Sequence, residues 1–150
     1  MFIVNVEGAI NKDGQWLLIK RSEKEEHAGG LLSLIGGKVE KEGASIDILE
    51  RTLHREIGEE VGIEVANLRY VTSSSFVTDS GLDVVNVVFV CNHKSGEAIA
   101  KCPDEVDEVV WMSTQEIVGH TAIPAYLKDY IKLADKLVRK NPSGVFEIFG

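Results

Sequence analysis

The apolar and polar positions of the chain fall into a few clearly periodic segments. Residues 3–10 predict a strand, Asn11-Lys12-Asp13-Gly14 a turn, and residues 16–21 a returning strand. The chain therefore opens as a hairpin with a four-residue connection. Residues 22–30 form a polar loop (Glu23, Lys24, Glu25, Glu26) that contains His27 and ends in two glycines. A short apolar run over 31–35 is closed by Gly36-Gly37, where the backbone is expected to turn sharply or approach a neighbour closely.

Residues 45–61 carry the strongest helical period. Ile46, Leu49, Leu53 and Ile57 recur at three- and four-residue intervals, and Gly62 follows as a stop. With Val61 they cover an arc of about 120° on a helical wheel, and the arc of Glu56, Glu59 and Glu60 abuts it. Arg51, His54 and Arg55 fall on the far side. The three acids are thus expected at the edge of the buried face, where they line a cleft.

Residues 63–70, 71–78 and 83–93 predict strands, the last with a core (Val84 to Val90) too apolar for an exposed edge. Ser95-Gly96 predicts a turn and residues 106–112 another strand. Ser113-Thr114-Gln115-Glu116 is a capping box that opens a short helix. Pro124 precedes a helix over 125–139, with Tyr126, Tyr130, Leu133 and Leu137 as its apolar stripe, and residues 144–150 predict a short strand. Several strands with two or three helices define an α/β or α+β sandwich whose sheet is covered on both faces. No repeat, low-complexity tract or linker divides residues 1–150, which are read as one domain.

Composition narrows the function. A net charge of −8 argues against binding a nucleic acid polymer, because phosphate backbones need a basic stripe. It permits a small phosphorylated ligand if metal ions invert the local field. No apolar run approaches the ~20 residues of a membrane span. The N-terminal residues lack a basic segment and a small-residue cleavage site, so no signal peptide is expected. Cys91 and Cys102 show neither metal-type nor redox-type spacing and are expected to be reduced thiols of a cytoplasmic protein.

The candidate chemistry lies in Arg55-Glu56-Ile57-Gly58-Glu59-Glu60-Val61-Gly62-Ile63. Glu56, Glu59 and Glu60 stand at i, i+3 and i+4, within one helical turn. Like charges at that spacing cost roughly a few tenths of a kcal/mol per pair, and acids at a helix C-terminus also oppose the macrodipole. A hard divalent cation, which selects carboxylate oxygens, relieves both. The Asp-x-Asp-x-Asp-Gly pattern of a calcium loop is absent.

This segment, with Gly36-Gly37-Lys38-Val39-Glu40 before it, resembles the Nudix box, G-x5-E-x7-R-E-U-x-E-E-x-G-U. The second half matches at every specified position. The first half is longer: Arg55 comes eighteen residues after Gly37, where the pattern has fourteen. A four-residue expansion around 40–45 accounts for this and leaves Asp47 at the first glutamate position. Ile35 stands where many members of the family have proline.

The resemblance implies an α/β/α sandwich with a mixed central sheet. It also implies hydrolysis of a nucleoside diphosphate linked to another group X, as in a nucleoside triphosphate, nucleotide sugar or dinucleoside polyphosphate. Glu56 and Glu60 would hold Mg²⁺ or Mn²⁺, with Glu59 as a further ligand or outer acceptor and the Gly36 carbonyl completing the site. Arg55 would orient a glutamate. Glu105, six positions before Trp111, is a further candidate ligand or base, with Glu108 as runner-up. Glu56 and Glu105 both remain candidate bases. Among the cations that could reach phosphate, Arg21 ranks ahead of Lys20 and Lys38; His27 is a weaker substrate contact. Trp16, Phe76 and Phe89 are expected in the core, with base stacking as the alternative. Homodimers are common in similar proteins. The competing reading is a non-catalytic Nudix-fold binding or regulatory module, which such proteins often reach by losing one of the helical glutamates; all three remain here.

Overall fold

A computed structural model describes residues 1–24 and 30–141. His27 and the strand expected over 144–150 lie outside the described residues. Strands β1 (Phe2–Lys12) and β2 (Gln15–Arg21) form the expected hairpin, but the connection is two residues long rather than four. Asp13 and Gly14 both take positive φ, 52° and 83°, which closes a tight turn matching the strand twist. Asn11 and Lys12 are thereby free to pair with Trp16 and Gln15.

The remaining strands are β3 (Leu32–Ser33), β4 (Ile35–Lys38), β5 (Glu64–Val77), β6 (Asp83–Ser95) and β7 (Val106–Ser113). They form one mixed sheet in the order β3-β2-β1-β6-β5, with β4 also on β1 and β7 also on β2. β1 runs parallel to β6 from Phe2↔Asp83 to Asn11↔Asn92. Its other edge is shared: β4 pairs with Asn5 to Gly8, and β2 only with Asn11 and Lys12. The sheet parts between β4 and β2, and the candidate site lies in that gap. The two segments expected at 63–70 and 71–78 are one strand, β5, interrupted by register shifts at Ala66/Arg69 and Tyr70/Thr72. The shifts break the period-two pattern, so the sequence reads as two pieces.

Alternating residues send their side chains to two cores. Val6 and Ile10 of β1 and Leu17 and Ile19 of β2 pack with Leu53, Ile57 and Val61 of helix α1 (Ile48–Val61). Ala9, Trp16 and Leu18 pack on the other face with Ile117 of α2 (Thr114–Val118) and with Leu127, Tyr130, Ile131 and Ala134 of α3 (Ala125–Lys140). Helices on both faces give the expected sandwich. Trp16 and Phe89 are core residues; Phe76 is exposed.

The stripe of α3 needs correction. Tyr126 and Leu133 are exposed, and the buried face is Leu127, Tyr130, Ile131 and Ala134, flanked by Leu137 and Val138. Two helical phases share Tyr130 and Leu137, and burial favoured the one carrying Ile131. The capping box of α2 forms as expected: Ser113 Oγ accepts from the Glu116 amide, and Glu116 accepts from the Ser113 amide. Both thiols are free, and no helix among the described residues is long and apolar enough to cross a membrane.

Candidate active site

Helix α1 begins three residues later than its periodicity predicts. Asp47 is the N-cap in a left-handed conformation (φ 53°), and Ile46 is exposed. Asp47 is exposed as well and takes no part in the cleft. At the other end, Gly62 (φ 73°) caps the helix, its amide reaching the carbonyls of Ile57 and Gly58. The last turn has no basic residue. Its carbonyls instead receive amides from the segment before β7: Ile99 donates to Val61 and Lys101 to Glu60. That same segment turns at Cys102, whose carbonyl accepts from Glu105, and the Glu105 carbonyl accepts from the Ser22 amide at the end of β2. The helix end, Glu105 and the end of β2 are thus tied together by backbone hydrogen bonds.

The three helical acids part company. Glu60 is buried, Glu56 is largely covered (side chain 16% exposed) and Glu59 points outward (60%). Arg55 spans the last two, with Nη1 3.1 Å from Glu56 Oε1 and 3.5 Å from Glu59 Oε2. Arg55 thus contacts both carboxylates.

Glu56 and Glu60 face a cleft of about 300 Å³ that also takes in Gly36, Gly37 and Lys38 of β4, Arg21 of β2, and Glu105. Of the residues ranked first for the site, all but Arg55 and Glu59 line it. Arg21 is aimed there by a bulge in the β2–β7 pairing at Lys20/Arg21. Lys20 and Glu108, the lesser candidates, pair with each other in that register, outside the cleft lining.

The glycine pair is required by close approach. A Cβ on Gly36 would lie 1.9 Å from the Val6 carbonyl oxygen, so β4 could not seat on β1. A Cβ on Gly37 would lie 2.4 Å from Glu56 Cδ, in the space that the carboxylate occupies.

Charge in the cleft is strongly unbalanced. Burial, together with the charges of Glu56 and Glu105, pushes the Glu60 carboxyl up to about 8; Arg21 and the Gly36 backbone pull the other way and do not compensate. Glu56 is also raised, by burial first, against the pull of Arg55. Glu60 Oε2 is buried with no hydrogen-bond partner. An orphaned carboxylate oxygen among like charges is costly, and a hard cation supplies what it lacks. The donor set of Glu56, Glu60, Glu105 and the Gly36 backbone suits a hard divalent cation in type. Among the described residues no three acidic, histidine or cysteine side chains stand at mutual ligand spacing. The fit therefore rests on donor chemistry and a shared cleft, not on a closed cage.

One part of the cleft was not found from the sequence. Asn5 and Glu7, on the same face of β1, line its floor. Asn86 of β6 donates to Glu7 Oε1 at 2.6 Å and accepts from Asn5 Nδ2 at 2.9 Å. Burial raises the Glu7 pKa despite Asn86 and Arg21. The available signal was Asn5 and Glu7 inside β1 and Asn86 inside β6, each flanked by apolar neighbours.

The order of strands and helices, the acids on α1 and the glycine pair in β4 define a Nudix arrangement. The NUDIX domain family model matches residues 3–134. The chain belongs to the Nudix family. It is 30% identical over 109 residues to the NAD-capped RNA hydrolase NudC of Photobacterium profundum, covering 73% of this chain and 37% of that protein. Against the NudC of Chromobacterium violaceum the identity is 31% over 126 residues, or 84% and 41% of the two chains. The chain thus spans about two fifths of the length of these curated relatives. Among solved structures, the MutT NUDIX hydrolase from Burkholderia pseudomallei superposes with a TM-score of 0.75 at 26% identity, over 89% of this chain and 98% of that one.

Proposed function

We propose that the protein is a metal-dependent pyrophosphohydrolase that cleaves the phosphoric anhydride of a nucleoside diphosphate linked to a further group. The observation that carries this reading is Glu60, a buried carboxyl pushed up to about 8 beside two other acids, with one oxygen unsatisfied. Once ionised, such a group destabilises a fold unless a cation completes it. Glu56, Glu60, Glu105 and the backbone of Gly36 are the residues we assign to hold Mg²⁺ or Mn²⁺. When bound, the cation neutralises phosphate oxygens and eases deprotonation of water.

The chain's own residues do the rest. Arg21 and Lys38 grip phosphate oxygens from β2 and β4. Arg55 fixes the rotamer of Glu56 and shares its charge with Glu59, which serves as an outer acceptor. As water attacks one phosphorus, its bond to the bridging oxygen breaks, the departing phosphate keeps that electron pair, and a carboxylate oxygen of Glu56 or Glu105 receives the water's proton. The relatives' names point to an anhydride flanked by a nucleoside: NAD-capped RNA for NudC. The acidity of the present chain favours a small nucleotide over a polymer.

The test is a panel of nucleoside triphosphates, nucleotide sugars and dinucleoside polyphosphates with Mg²⁺ or Mn²⁺, scoring released phosphate, pyrophosphate and nucleoside monophosphate. Glu56→Gln and Glu105→Gln are assayed in parallel. The substitution that removes the base lowers kcat by roughly 10²–10⁴-fold. Unchanged metal-dependent turnover in both variants would defeat the assignment.

A further inference from the structure

The floor of the cleft, Asn5 and Glu7 with Asn86 buried behind them, has no task in the hydrolysis just described. It is nevertheless built with care. Asn86 is buried, and Tyr130 of α3 stands 3.5 Å from its amide nitrogen while bonding Ser74 of β5 at 2.6 Å. Three strands and a helix therefore hold one polar chain in place. Its polarity follows from Glu7. A carboxylate only accepts, so Asn86 turns its amide nitrogen to Glu7 and its oxygen to Asn5. Asn5 must then present its own nitrogen to Asn86, which leaves its oxygen for other partners. Glu7 Oε1 is engaged by Asn86, and the hydrogen bonds among the described residues leave Oε2 to whatever enters the cleft. The floor is consequently rich in acceptors.

Phosphate does not belong on such a floor. Its oxygens are acceptors and anions, and although Arg21 acts on Glu7 and Lys38 stands opposite Asn5 in the β1–β4 register, the Glu7 carboxylate itself offers phosphate no donor. The matching partner is a neutral group with adjacent N–H donors.

We propose that Glu7, held by Asn86 and flanked by Asn5, determines base specificity in this cleft, selecting a base whose edge carries adjacent N–H donors, as guanine does, over one that presents an acceptor there, as adenine does. The proposal rests on the pyrophosphohydrolase reading for the placement of the phosphates. Adenine would set its N1 lone pair against the carboxylate, and unpaired acceptors facing one another are penalised more than a missing contact is. One bidentate base contact is worth about a 10- to 100-fold preference.

The test is equilibrium binding of GMP, IMP and AMP, which carry no anhydride to hydrolyse, to the full chain and to Glu7→Gln in Mg²⁺, with kcat/KM for GTP and ATP measured beside it. In the wild type GMP binds at least tenfold tighter than AMP, with IMP, which lacks the 2-amino donor, between them. Glu7→Gln keeps an oxygen for Asn86, so the fold survives, and the GMP/AMP ratio collapses toward one. Glu7→Asp, which retains the acceptor but withdraws it, keeps GMP ahead of AMP. Equal affinities in the wild type, or an equal loss for both nucleotides in Glu7→Gln as a contact to ribose would give, overturns the proposal. A protein that hydrolyses no nucleotide yet discriminates GMP from AMP through Glu7 supports this inference and defeats only the catalytic reading. Brisk hydrolysis without base preference does the reverse.

Discussion

Glu60 shows how much a single residue position constrains this protein. Its folded pKa of about 8 lies far above that of an unfolded glutamate. A carboxyl raised on folding favours the native state while it is protonated. Its stabilising contribution is full below the unfolded value and is lost as pH rises through 8. In EDTA the thermal midpoint should therefore fall between pH 5 and pH 8, by an amount on the order of a few kcal/mol in stability. Glu56 and Glu7, also raised, add to the same slope. Glu60→Gln should make the protein more stable than wild type at pH 8 in EDTA. Magnesium should then stabilise the wild type more at pH 8 than at pH 6, and the variant hardly at all. Melting curves with and without the metal decide it; a flat wild-type profile in EDTA would contradict the burial of an ionisable Glu60.

The adjacent glycines separate fold from site. Gly36→Ala drives a Cβ into the Val6 carbonyl oxygen, a backbone atom that cannot swing aside, and should cost about 3 kcal/mol of stability. Gly37→Ala meets only the end of the Glu56 side chain. It should melt near the wild-type temperature while losing most metal-dependent activity, because the carboxylate must move. At this scale the sequence was informative about identity and less so about orientation. Spacing identified Glu56 and Glu60 as neighbours on a turn. It could not show that Glu59, one position before Glu60, turns outward to Arg55. Glu105 was reachable only through its offset from Trp111, and Glu7 not at all, because nothing local says which strand face meets the cleft.

Elements were legible wherever one periodicity dominated. Helix α1 and the capping box of α2 were clear in advance, because caps and glycine stops are local devices. Ser113→Ala should lower stability by about 1 kcal/mol. The Ser113 hydrogen bonds hold the Glu116 carboxyl below its ordinary range. That contribution is present above the unfolded pKa and lost as pH falls through the folded one. Alanine keeps the Ser113 amide, so the variant that reads this term is Glu116→Gln, whose loss in denaturant curves should shrink in acid. The phase of α3 and the continuity of β5 were not legible. In α3 two apolar registers compete, and only the opposing sheet face selects between them. In β5 the interruptions record pairing with β6, a long-range event that leaves no local mark.

At the scale of the molecule the sheet separates two cores that share a backbone but few atoms. Ile57 of α1 and Ile131 of α3 are both fully buried, on opposite faces of the sheet. Either Ile→Ala change should cost about 2–5 kcal/mol, and the double variant should lose the sum to within about 0.5 kcal/mol. Their effects on function should differ. Ile57 follows Glu56 directly on α1, so its loss loosens the acids and should weaken metal binding. Ile131→Ala should leave metal affinity in surviving native protein near wild type, as measured by magnesium titration. Coupling beyond 0.5 kcal/mol would show that the sheet transmits strain between its faces.

The backbone ties running from Val61 and Glu60 through Ile99 and Lys101 to Glu105 and Ser22 give the segment between β6 and β7 an unexpected stiffness of length. It contains neither helix nor strand, and surface connections of that kind ordinarily accept insertions and deletions. This one is a ruler. Adding or deleting a single amino acid between 97 and 104 would either break an anchor or carry Glu105 out of step with Glu56 and Glu60. Among sequences that keep all three acids, the number of residues here should vary less than their identity.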